Sequence, residues 1–283
     1  MEKYNTSEIP KSSRITRLVD HLYAKMPEIE SYRAKLITES YKETEDQPII
    51  TRRAKAFSHI LHNIPIIIRD EELIVGSNSI APRGCQTFPE FSYQWLEDEL
   101  DTVATRTADP FYISEQAKAD LREVHKYWKG KTTSELATAY MAPEAIRAID
   151  HNIFTPGNYF YNGVGHVTVK YWEVLEIGYE GIMAIGYEGI IAKAQKELDE
   201  CNVGDGDYAK KSRFLEAVIM SCQAVIDYAD RYAKLALEMA EKCTDPQRKA
   251  ELLVIASNCS KVPAKGATNF WEACQSFWFV QQL

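Results

Sequence analysis

The 283 residues predict a mainly α-helical chain with one short β-hairpin. Three observations carry this. Apolar residues recur at steps of three and four through most of the chain, the spacing of one helix face. Residues 208–243 hold two such seams side by side. Short, β-branched, turn-bounded segments occur at 65–69 and 72–76 and read as a pair of strands.

In chain order, residues 13–25 place Ile15, Leu18, Leu22 and Tyr23 at helical spacing and stop before Pro27. Helices follow over 28–43 and 50–62, the second ending before Asn63-Ile64-Pro65. Pro65–Arg69 and Glu72–Gly76 form the expected hairpin, turning at Arg69-Asp70-Glu71. Residues 90–100, 113–128 and 133–140 read as helices, as do 143–150, where Pro143 suits a first turn. Residues 110–111 and 153–165 read as irregular. In 208–243, one seam runs Phe214, Val218, Ser221, Val225, Tyr228, Tyr232, Leu235, Met239. Its neighbour runs Leu215, Ile219, Cys222, Ile226, Ala229, Ala233, Ala236, Ala240. A dimeric coiled coil uses one narrow seam; two adjacent seams predict a core helix covered on more than one side. Helices at 245–258 and 267–283 complete the set.

Between 177 and 192 the chain repeats itself. Ile177-Gly178-Tyr179-Glu180-Gly181-Ile182-Met183-Ala184 is followed by Ile185-Gly186-Tyr187-Glu188-Gly189-Ile190-Ile191-Ala192. Eight residues carry an α-helix about 80° past two full turns and about 12 Å along its axis. A continuous helix must therefore rotate, bulge or loop out one copy. Its four glycines weaken it by about 0.5–1 kcal/mol each relative to alanine. A solenoid needs longer units and more copies, so the repeat reads as a recent duplication.

Composition excludes several classes. A net charge of −8 and 26% charged residues leave no basic patch to neutralise phosphates, which argues against nucleic acid. Met1–Pro10 lacks the apolar core of a signal peptide. The best apolar run, Ile177–Ala194, is interrupted by Glu180 and Glu188, so no membrane span is expected. Cysteines at 85, 201, 222, 243, 259 and 274 show no Cys-x-x-Cys spacing; reduced thiols are expected, and no metal site. His59 and His62 share a helix face but have no third ligand at suitable spacing. His21, His125 and His151 stand among charged residues and read as surface positions.

The segment richest in chemistry is Gly157-Asn158-Tyr159-Phe160-Tyr161-Asn162-Gly163-Val164-Gly165-His166. Its glycines permit close backbone approach to a ligand. Asn158, Asn162 and His166 supply hydrogen-bonding groups, and Tyr159, Phe160 and Tyr161 supply walls, the mixture a small polar substrate requires. On pattern alone, an ordinary helix-connecting turn with one structural histidine is the better reading.

With Phe154-Thr155-Pro156 before it, this loop resembles the glycyl radical enzymes, in particular the B12-independent glycerol and 1,2-propanediol dehydratases. Further segments agree in the same order: Leu36–Ser40, Glu72–Ser77, Phe88–Ser92, Gly130–Thr138 and Glu272–Val280. The similarity runs from about residue 13 to the last residue. Glu-Leu-Ile-Val-Gly is shared across the pyruvate formate-lyase-like superfamily, whereas Lys-Thr-Thr-Ser-Glu-Leu-Ala-Thr and Tyr-Asn-Gly-Val-Gly-His look particular to the diol dehydratases.

The resemblance implies the ten-stranded β/α barrel of that family, of which this chain supplies outer helices and one wall of the active site. It implies radical dehydration of a small vicinal diol, glycerol or 1,2-propanediol, to an aldehyde. His166 matches the histidine that assists departure of the C2 hydroxyl, and Asn158 is a candidate to position a substrate hydroxyl. The stored radical is a glycyl radical installed by an iron–sulfur S-adenosylmethionine activase, and the full-length enzyme is a homodimer. A cytoplasmic setting is implied, with a bacterial microcompartment as the alternative. Family members are well over twice this length, and their thiyl cysteine and radical glycine have no counterpart here. Cys85 and Cys274 do not fall in the radical loop. The chain stops at Gln281-Gln282-Leu283, inside an apolar helical pattern. The expectation is a flexible 1–12 followed by 13–283 as the N-terminal part of a larger enzyme, inactive alone and binding no cofactor or metal itself. Choline trimethylamine-lyase and hydroxyproline dehydratase share the scaffold and are alternatives, as is a non-catalytic helical module that binds a partner.

Overall fold

The computed structural model describes residues 12–151, 153 and 171–283. Its helices are α1 (Ser13–Tyr23), α2 (Tyr32–Glu43), α3 (Ile49–Asn63), α4 (Gln94–Glu97), α5 (Glu115–Trp128), α6 (Thr133–Ala139), α7 (Pro143–Asp150), α8 (Tyr171–Asp199), α9 (Tyr208–Lys242), α10 (Pro246–Cys259) and α11 (Phe270–Gln282). Three short strands accompany them: β1 (Glu28–Glu30), β2 (Gly84–Gln86) and β3 (Tyr112–Ile113). Several starts follow from side-chain caps that satisfy otherwise orphaned amides. Ser114 and Asp245 cap α5 and α10, and Thr132 with Glu135 forms a reciprocal capping box on α6.

The long helix α9 is the organising element. It packs on α3, α8 and α10, so it is covered on more than one side, as the pattern predicts. Tyr228, Ala229, Tyr232, Ala233, Ala236 and Ala240 are buried along it, the alanines allowing close backbone approach. Phe214 departs from the seam reading: at the N-terminal end of α9 it is 55% exposed. A second buried group joins α2 and α5, where Trp128 Nε1 donates to Thr38 Oγ1 at 2.8 Å. Both groups belong to one contiguous core.

The expected hairpin at 65–76 is absent; no strand is assigned there. The sheet lies elsewhere, with β1 between β2 and β3 and both pairings parallel. Ile29 is opposite Cys85 on one side and Ile113 on the other. Backbone hydrogen bonding explains the difference, because buried amides and carbonyls must find partners of some kind. Along 64–77 those partners are side chains of distant helices rather than a second strand. Arg231 donates to Ile64 O, Arg248 to Arg69 O and Glu72 O, and Trp271 to Leu73 O. Gln275 both donates to and accepts from Val75. The predicted 28–43 helix begins only at Tyr32. Extended backbone at 28–30 brings the buried Glu30 carboxylate to the amides of Ile80 and Ala81 and to Gln86 Nε2. The predicted 90–100 helix shrinks to α4, followed by a 3₁₀ turn at Val103–Thr105.

Helix α8 is broken at Gly186, whose φ of 66° and ψ of 178° are not helical. This resolves how the tandem repeat is accommodated: the first copy lies in the first half of α8 and the break falls inside the second.

Candidate functional site

The segment Leu73–Ser79 crosses the buried face of α9 and α11 and is held at nearly every residue. Tyr232 Oη accepts from Ser77 N at 3.0 Å, and both Tyr228 and Tyr232 donate to Ser77 O. Trp278 Nε1 donates to Gly76 O at 2.7 Å. Gly76 has φ 126°, and a Cβ there would meet the Phe279 and Trp278 rings at 3.2 Å, so the close approach needs glycine. Burial raises the phenols of Tyr228 and Tyr232 above their usual range, which keeps them as neutral donors.

Between this segment and α11 lies a cavity of about 820 Å³, lined by Arg69, Glu72, Asn78, Cys274, Trp278 and Gln282 among others. Its charged groups are already committed. The Arg69 guanidinium donates to Glu72, 3.2 Å away, and to the carbonyls of Ser79 and Ala81. The cavity offers apolar walls and amide groups but no imidazole or free carboxylate pair for proton transfer. Glu272, on α11, anchors the same wall. Burial works to raise its carboxyl, but Lys261 and the amide and hydroxyl of Thr268 hold it down to about 2.

His166 and Asn158, the residues singled out from the sequence, lie outside the described residues, as do Tyr159, Phe160 and Tyr161. His59 and His62 serve different carboxylates. His59 Nε2 is 3.2 Å from Glu39 on α2, and His62 Nε2 is 2.9 Å from Asp227 on α9. They tie helices together and do not converge. Among the described residues no group of three His, Cys, Asp or Glu side chains has the geometry to hold a metal. No described helix is long and apolar enough to cross a membrane.

All six thiols are free. Burial, and then the negative charge of Glu30, raise the Cys85 thiol, the opposite of what a reactive thiolate needs. Burial pushes Cys222 up to about 11 and raises Cys259 as well.

His125 corrects the surface reading. It is 4% exposed, stacked on Tyr93 with ring centroids 4.8 Å apart, and hydrogen-bonded to Glu97. The sequence reading placed Tyr228 and Tyr232 in a buried seam but missed their hydrogen bonds to Ser77, and it missed Gln275. An available signal was Gln275 at helical spacing from Glu272 and Phe279, with which it shares the buried face of α11.

The second copy of the repeat meets a specific seat. Gly186 is buried against the backbone of Ala264 and Lys265. A Cβ added there would stand 2.2 Å from Ala264 O. The next two amides, Tyr187 N and Glu188 N, donate to Pro263 O and Ala264 O, each at 2.9 Å.

Comparison with known proteins gives this scaffold its class. It superimposes with a TM-score of 0.89 on a structure of 1,2-propanediol dehydration in Roseburia inulinivorans, at 64% identity over 96% of this chain and 33% of that one. The glycerol-bound B12-independent glycerol dehydratase of Clostridium butyricum matches with a TM-score of 0.88 at 52% identity, over 96% of this chain and 34% of that one. The (2S)-3-sulfopropanediol dehydratase of Klebsiella oxytoca is 34% identical over 95% of this chain and 32% of its own length. The fold is that of the glycyl radical enzymes. The pyruvate formate lyase-like family model matches residues 6–283, and the chain belongs to that family. It spans about a third of the length of the relatives it matches.

Proposed function

We propose that this chain is the N-terminal portion of a glycyl radical diol dehydratase, a carbon–oxygen lyase that converts a vicinal diol to an aldehyde and water. The observation that carries the reading is the superposition on the Roseburia structure, with 64% identity across nearly the whole chain. The margin over the glycerol dehydratase, at 52%, favours 1,2-propanediol over glycerol as substrate.

In this reading a glycyl radical, installed by a separate S-adenosylmethionine activase and stored in the longer protein, would supply, through a cysteine thiyl, the radical chemistry at C1. The described residues do not fit a radical centre. Cys85 is held in β2 and Cys274 within α11, so no step is assigned to either. What this chain contributes is the leaving-group side. His166 holds a proton at the C2 hydroxyl and gives it up as that oxygen departs as water. An imidazole suits this because its ordinary pKa near 6.5 lets it carry and release a proton at neutral pH. Asn158 orients a substrate hydroxyl, and Tyr159, Phe160 and Tyr161 exclude solvent. A homodimer of the longer protein is part of the same proposal.

The test begins with the intact mass of the native protein from its anaerobic source. A species well over twice 32.3 kDa is expected. In that protein, His166→Ala should lower the rate of 1,2-propanediol dehydration by about 10²–10⁴-fold. A native species of 32.3 kDa, or an active His166→Ala enzyme, would overturn the proposal.

A further inference from the structure

The seat on Pro263–Ala264 is occupied by one copy of a sequence that the chain carries twice. Ile185-Gly186-Tyr187-Glu188-Gly189-Ile190 and Ile177-Gly178-Tyr179-Glu180-Gly181-Ile182 are identical over six residues. Yet Gly186 is kinked while residues 177–182 run as helix within α8. Identical sequences have identical local preferences, so the contact with 263–264, and not the segment itself, selects the kink. Either copy carries what the seat demands: a glycine that tolerates φ 66° with carbonyl oxygen close by, then two amides to donate to Pro263 and Ala264.

We propose that α8 is a register switch, in which the first copy takes the seat and the helix slides by eight residues. The packed face of α8 allows it. Tyr187, Gly189, Ile190, Ile191, Ala194 and Leu198 are the part-buried or buried positions after the kink. Eight residues earlier stand Tyr179, Gly181, Ile182, Met183, Gly186 and Ile190, so four large apolar side chains replace four, glycine replaces glycine, and glycine replaces one alanine. An eight-residue slip elsewhere in a helix sets polar residues against the core; here the repeat preserves the pattern. The displaced length enters the connection before α9, already a Gly- and Asp-rich surface turn over 200–207. The seated glycine changes from 186 to 178, eight residues closer to His166. The slide is about 12 Å along the helix axis. The inference rests on the seat and the repeat alone and stands apart from the catalytic role of His166.

The decisive comparison uses Gly178→Ala, Gly186→Ala and the double variant of the full chain, melted side by side and exposed briefly to trypsin. Gly178→Ala should melt no lower than the parent, because that residue is helical in the observed register. Gly186→Ala should remain folded with the first copy seated. It should also gain tryptic cuts at Lys193 and Lys196, which leave the helix for the loop on sliding. The double variant, with neither copy able to sit, should melt well below Gly186→Ala. A double variant no less stable than Gly186→Ala would overturn the proposal. So would a Gly186→Ala protein that fails to fold, or one whose tryptic pattern matches the parent.

Discussion

At the buried face of α5, the His125 imidazole lies between the Tyr93 ring and the Glu97 carboxylate. Burial lowers its pKa below 6.5, and the Glu97 contact offsets only part of that. Between the folded value and 6.5 the unfolded chain therefore binds more protons than the folded one, and stability falls as pH drops through this window. His125→Gln should flatten that slope: the melting temperatures of parent and variant should converge between pH 7 and 5. Parallel curves would place the acid sensitivity elsewhere. Glu272 acts lower down. Its folded pKa of about 2 lies below the ordinary 4.5, so its contribution is complete above 4.5 and is lost as pH falls toward 2. The burial of His125 was written in the sequence. Leu121, His125 and Trp128 stand at i, i+4 and i+7, an apolar stripe, but the charged neighbours Arg122, Glu123 and Lys126 drew the reading outward.

Among the elements, the segment 73–79 shows how strand-like residues fold without a strand. Its order depends on side chains from α9 and α11, and Gln275, 1% exposed, carries two of the bonds. Gln275→Leu keeps the volume but leaves a buried amide and a buried carbonyl of Val75 without partners. It should cost about 2–4 kcal/mol in denaturant unfolding. A loss below about 1 kcal/mol would mean that water replaces both contacts. Helices such as α5, α9 and α10 were legible because their 3.6-residue period is local information. Residues 65–76 misled because β-branched composition reports a half-buried extended backbone and says nothing about which groups bond to it. The partners, Arg231, Arg248, Trp271 and Gln275, come from more than 150 positions away.

For the molecule as a whole, the duplication should be a net burden. Removing 177–184 leaves one copy for the seat and takes two glycines out of a helix. The melting temperature should rise by about 2–8 °C in calorimetry, from about 0.5–1 kcal/mol per glycine. An unchanged or lower value would show that the extra turns support something the deletion removes. The fold class and family were legible from segments spread along the chain, since the pinned loop and α11 retain the residues their packing needs. The candidate site was legible only through the resemblance, because a glycine-rich loop with a lone histidine has no spacing that specifies chemistry. The parallel sheet has a consequence for how the protein is made. Its central strand is the earliest among the described strands, and Glu28 waits for Gly84 on one side and Tyr112 on the other. A ribosome releases the N-terminus first, so α1, α2 and α3 emerge around a strand with both edges open. Nascent chains held at any length short of residue 84 carry that exposed ribbon, and the stretch of synthesis before residue 112 is when chaperones have most to do.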